Sequence, residues 1–204
     1  MLSKEFRRTF ILSLIMSFGL TVAFAQAPPE EKVIPDSIKK AVRETNYNEI
    51  RIKPFPIAMQ SWTYRRYTFF EALDRTKALG LSYVQAYPGQ RISKELPASV
   101  VFNHQLGDEH IEVIKEKLRA VGIKVIAYGV VDTGRSESQM RQVFDFARKM
   151  GIRTIVTEPQ EEDYPLLEKL VKEYDIQIAI HNHPEPAKYA YPLTALKHLK
   201  NLDS

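Results

Sequence analysis

The chain has 204 residues, 44% of them hydrophobic and 26% charged, which is ordinary globular usage and excludes a disordered or fibrous polymer. It carries a formal net charge of +4 and no cysteine, which removes disulfides and thiolate metal centres from consideration. No Lys/Arg stripe stands out, so nucleic acid is not an expected partner.

The N-terminus reads as a secretory signal. Lys4, Arg7 and Arg8 form a basic head, an apolar run follows over 10–22, and Ala23-Phe24-Ala25 supplies the small-x-small pattern that signal peptidase requires. Residues 1–25 are therefore expected to be removed before Gln26. The apolar run falls short of the about 20 residues of a spanning helix. No cysteine follows the cleavage pattern, so no stable membrane anchor is expected after cleavage. Removing Lys4, Glu5, Arg7 and Arg8 leaves a charge of +2 on a protein expected in the periplasm or outside the cell.

Residues 26–56 form a lead-in, kept extended at its start by Pro28, Pro29 and Pro35, with a short helix expected over 37–44. From residue 57 onward one pattern recurs: an amphipathic helix ends in a basic turn with glycine, and a Val/Ile-rich strand follows at once. Lys77-Ala78-Leu79-Gly80-Leu81, Arg119-Ala120-Val121-Gly122-Ile123 and Arg148-Lys149-Met150-Gly151-Ile152 are three copies, and Lys172-Glu173-Tyr174-Asp175-Ile176 is a fourth with Asp in the glycine position. Glycine suits the left-handed residue that closes a helix, and the basic side chains suit the negative end of its dipole.

Helix starts agree with that reading. Thr68-x-x-Glu71 and Ser136-x-x-Gln139 are capping boxes, and Asp108 is an expected N-cap. The pattern predicts helices over 69–79, 109–121, 137–150, 164–174 and 192–201. Strands are predicted over 57–62, 83–87, 124–129, 154–158 and 178–181. Regular βα alternation means a parallel sheet with right-handed crossovers. Periodicity alone leaves two architectures open, an open doubly wound sheet and a (β/α)8 barrel.

In both architectures the C-terminal strand ends face the ligand. The ends here are Gln60-Ser61-Trp62-Thr63-Tyr64, Gln85-Ala86-Tyr87, Tyr128-Gly129, Thr157-Glu158-Pro159 and His181-Asn182-His183-Pro184. Gly-rich phosphate loops and a nucleophilic-serine elbow are missing. His181 and His183 stand two apart and so point the same way on a strand. Imidazoles with a neighbouring carboxylate suit a divalent metal such as Mn, Co, Zn or Fe, and Glu158 could serve as ligand or as a base on a sugar carbon. Trp62 and Tyr64, and more weakly Tyr87 and Tyr128, could stack on the apolar face of a sugar ring. His104, His110 and His198 read as surface residues.

Met59-Gln60-Ser61-Trp62-Thr63, Lys77-Ala78-Leu79-Gly80-Leu81, Thr157-Glu158-Pro159 and Ile180-His181-Asn182-His183-Pro184 together resemble the sugar phosphate isomerase/epimerase group, the xylose-isomerase-like TIM barrels. The resemblance implies a (β/α)8 barrel domain over 57–204, of which about five βα units are present, with the C-terminal units cut off. It implies one divalent metal (Mn, Co, Zn or Mg) held by Glu158 and His181, with His183 and Glu158 moving protons. His181 departs from the Glu that many members carry there. The implied chemistry is proton transfer next to a carbonyl of a small carbohydrate: isomerisation, epimerisation, or keto-sugar elimination or hydration. As a fragment the chain could be inactive, and the alternative is a non-catalytic carbohydrate-binding protein. Self-association is left open.

Overall fold

The computed structural model describes residues 51–52, 55–200 and 202, all within one compact unit, Val33–Ser204. The secretory segment over 1–25 and the short helix over 37–44 lie outside the described residues, as does most of the lead-in. The described residues begin with an antiparallel hairpin of two short strands, β1 (Arg51–Ile52) and β2 (Phe55–Pro56).

Five parallel strands follow: β3 (Met59–Gln60), β4 (Tyr83–Ala86), β5 (Lys124–Tyr128), β6 (Thr154–Thr157) and β7 (Gln177–Ile180). Helices α1 (Phe69–Ala78), α2 (Asp108–Val121), α3 (Glu137–Met150) and α4 (Tyr164–Tyr174) link them, and α5 (Pro192–Leu199) comes last. The strands lie side by side in chain order, β3 to β7. Right-handed crossovers between successive neighbours keep every linking helix on one face of the sheet. That winding distinguishes barrel units from a doubly wound sheet, whose order reverses at its centre. The fold is thus five consecutive strands of the TIM-barrel type.

The core lies between the sheet and its single helix layer. Val84, Ala86, Val125, Tyr128 and Ile155 face the helices, where they meet Leu73, Ile114, Leu118, Val143, Phe144, Ala147, Leu167 and Leu170, all buried. Burial along α3 recurs at Met140, Val143, Phe144, Ala147 and Met150, one face of a helix of 3.6 residues per turn. Truncating Leu73 or Phe144 to alanine would remove about 2–5 kcal/mol.

Local signals set the element ends. Both capping boxes form, with Thr68 accepting from the Glu71 N–H and Ser136 from the Gln139 N–H. The turns behave as their sequences demand: Gly122 and Gly151 close their helices in left-handed conformation, and Asp175 takes the same conformation at φ 54°. Two expectations are corrected. Asp108 is the first residue of α2 and not its cap; Gly107 caps it without a side chain, and the Asp108 carboxylate pairs instead with Lys149 at 2.7 Å. The first strand is only two residues long, because the Gln60 side chain accepts the Trp62 N–H at 3.0 Å and winds Ser61–Tyr64 into a 3-10 turn.

Candidate metal centre and strand-end site

Glu158 follows directly on β6 and His181 directly on β7. The β6–β7 ladder pairs Val156 with Ala179 and Thr157 with Ile180. It runs one rung further, through a 2.9 Å bond from the His181 N–H to the Thr157 carbonyl. The register carried forward sets Glu158 beside His181. Side chains alternate along a strand, so both share the face of Val156 and Ala179, opposite the helix-packed Ile155.

The side chains converge. His181 Nδ1 lies 3.1 Å and His183 Nε2 3.0 Å from the same oxygen, Oε1 of Glu158. The two imidazole centroids are 4.6 Å apart, edge to face. One donor atom from each residue falls within 4.8 Å of the other two. A first-row divalent ion holds N and O ligands at about 2.0–2.2 Å, which spaces neighbouring donors roughly 3 Å apart. The spacing and the borderline N/O donor set fit such an ion, and three protein ligands leave positions for water or substrate. Glu158 and His181 are half-buried and His183 is exposed.

The strand-end loops are tied to one another. Arg135, beyond β5, reaches the buried carboxylate of Asp163 at 3.3 Å, and Asp163 accepts the Gln160 N–H at 2.7 Å. Beyond β7, Lys188 Nζ and the Tyr189 hydroxyl both donate to the Pro159 carbonyl. The Tyr189 hydroxyl also lies 2.9 Å from that of Tyr164. The segment after Glu158 is thereby held from both neighbouring strand ends. Apart from the local Gln160–Asp163 cap, these contacts join positions far apart in the chain, which no local motif announces.

The aromatic residues divide. Trp62 is 53% exposed and meets the edge of Tyr87 at 4.9 Å, with the Arg65 guanidinium 5.5 Å from its ring. Burial raises the Tyr87 phenol pKa, opposed by the Arg65 charge. Tyr64 is half-buried and turns to Tyr67, 6.2 Å away. Tyr128 is corrected: it is fully buried against Phe102 and Phe146 and offers no face to a ligand. The cause is a bulge. Val84 pairs with Val125 but Gln85 pairs with Ala127, so Ile126 is an extra residue that turns Tyr128 to the helix side.

Two histidines are also corrected. His104 is half-buried, with Nδ1 3.2 Å from the Tyr128 hydroxyl, and burial lowers its pKa against the opposing charge of Asp132. His198 stacks on Tyr164 at 5.4 Å and lies 3.4 Å from Glu161. The strands β3 and β6 are three ladder spacings apart, roughly 14 Å along the sheet. Trp62 and the Glu158 cluster therefore occupy different parts of the strand-end surface.

Comparison with family models and with curated proteins gives no match. Among solved structures, an uncharacterised protein of Parabacteroides distasonis is similar at 31% identity and TM-score 0.63, over 72% of this chain and 59% of that one. The chain thus spans less than two thirds of that protein's length. A sugar phosphate isomerase/epimerase of the same organism aligns at 13% identity and TM-score 0.49, over 72% of this chain and 64% of its own. A xylose isomerase domain protein of Planctomyces limnophilus aligns at 14% and 0.46, over 73% and 58%.

Proposed function

We propose that this chain carries the divalent-metal and proton-transfer residues of an exported sugar isomerase or epimerase. One observation carries the reading: Glu158 Oε1, His181 Nδ1 and His183 Nε2 meet at the C-terminal ends of two adjacent parallel strands, where barrel enzymes place their chemistry. Glu158 and His181 hold the ion, with His183 able to join them. The ion, when bound, supplies Lewis-acid polarisation of a carbonyl oxygen.

The protein's own groups move the proton. Both imidazole contacts fall on Oε1 of Glu158, which leaves the second carboxylate oxygen to take a proton from the carbon beside the carbonyl. His183, exposed at the rim, exchanges that proton with substrate or solvent. Trp62 offers an exposed apolar ring at the first strand end for a sugar face.

Titration of the purified chain with Mn²⁺, Co²⁺ and Zn²⁺ tests the reading. Saturable binding that is lost in Glu158→Gln supports it. Binding no different from that of Glu158→Gln overturns it. The second reading, a non-catalytic carbohydrate-binding protein, is favoured by the exposure of Trp62. It predicts glycan binding that a chelator leaves unchanged.

A further inference from the structure

We infer that Tyr189 is a positioning residue for Glu158, acting through the Pro159 carbonyl; the inference rests on the metal-site reading above. Pro159 follows Glu158 directly; its carbonyl fixes the Pro159–Gln160 peptide plane, and the proline ring, which locks φ, carries that constraint back to the carboxylate-bearing residue. Two donors from beyond β7 converge on that carbonyl, the Lys188 ammonium at 3.2 Å and the Tyr189 hydroxyl at 2.5 Å. The same loop carries His183, six residues before Tyr189. These two hydrogen bonds, the shorter of them from the buried Tyr189, tie the carboxylate end of the site to the imidazole end, independently of the β6–β7 ladder.

The arrangement is built and buried. Tyr189 is 2% exposed and Tyr164 6%. Because the Tyr189 proton goes to Pro159, its oxygen accepts from Tyr164, giving an ordered chain from Tyr164 through Tyr189 to the carbonyl. Burial pushes the Tyr189 phenol pKa up, which keeps its proton available for the Pro159 carbonyl. His198 stacks against Tyr164 from behind and closes the stack. Outer partners of this kind set the orientation of a ligand and alter metal affinity when removed.

Isothermal titration with Zn²⁺ and Mn²⁺ on Tyr189→Phe is the test, with thermal unfolding of each variant alongside. Loss of roughly tenfold in affinity is expected for Tyr189→Phe. Tyr164→Phe keeps the bond to Pro159 and is expected to stay within about twofold. Equal affinity losses in the two variants, tracking equal losses of Tm, would make the pair merely structural and overturn the inference. An unchanged affinity in Tyr189→Phe, with Glu158→Gln still abolishing binding, overturns it and leaves the metal site standing. Indifference of binding to Glu158→Gln removes the metal reading itself. If Tyr189→Phe does not fold, Tyr189→His decides: its shorter ring cannot place a donor where the phenol oxygen lies, and an affinity within experimental error of the parent overturns the inference.

Discussion

The backbone N–H of His181 donates to Thr157 at 2.9 Å, while the His181 ring reaches the Glu158 carboxylate at 3.1 Å. The same rung that continues the sheet thus delivers the imidazole to its partner. His183, two residues on and beyond Asn182, has no such rung and is 53% exposed at its side chain. On the metal reading proposed above, the anchored imidazole is the stronger ligand. His181→Ala should weaken Zn²⁺ binding by more than roughly 100-fold, beyond the range of outer-partner changes, and His183→Ala by about tenfold. Titration of the two single variants checks the order.

On the proposed reading, Trp62 offers ligand surface at little structural risk. It stands half out of the protein and meets, among the described residues, the edge of Tyr87 and the Arg65 guanidinium. Trp62→Ala should leave Tm nearly unchanged while weakening oligosaccharide binding by about 3- to 10-fold, the range of a single aromatic contact. Affinity electrophoresis in glycan-loaded gels measures it.

Glu71 ties the start of α1 to pH. Burial opposes its ionisation, but hydrogen bonds from Lys94 and from the Thr68 N–H and hydroxyl outweigh this and hold its pKa down to about 2. A depressed carboxylate contributes stability above its unfolded pKa and loses it as pH falls through the folded value. The contribution should therefore be complete above pH ~4.5 and vanish by pH ~2. Glu71→Gln keeps a capping side chain but no charge. Urea unfolding should show the variant less stable at pH 7 and the two proteins converging near pH 2.5.

Asp175 and Gly129 make opposite predictions about backbone. Asp175 sits where the sister turns use left-handed glycine, with only an exposed ion pair to Arg153 to offset the strain. Asp175→Gly should stabilise by about 0.5 kcal/mol.

Gly129 has φ 146°, and a Cβ there would run into the Val156 carbonyl. Gly129→Ala should destabilise by about 2–3 kcal/mol, seen as a lower urea midpoint at unchanged slope.

The helices and the bottom turns were legible because their signals are local. Ser136-x-x-Gln139 marks the start of α3, and Gly151 its end. The Glu158–His181 meeting was legible from strand ends and period two. Tyr128 was misread because a single extra residue, Ile126, reverses alternation without a mark in composition. His104 and His198 were misread because their partners, Tyr128 and Tyr164, lie 24 and 34 positions away. The clamp of Tyr189 on Pro159 spans 30 positions and could be found only in space.

The bulge at Ile126 also makes this strand tolerant of a change in length. Deleting that residue would restore strict alternation while leaving Ala127 opposite Gln85 and Tyr128 opposite Ala86, each on the face it already holds. The aromatic cluster around Phe102 would keep its phenol, and only the local kink would go. A codon-sized deletion here is therefore absorbed by the fold, whereas the same deletion at Ala127 would set Ile126 opposite Gln85 and remove the bulge at the cost of a larger side chain on the inner face.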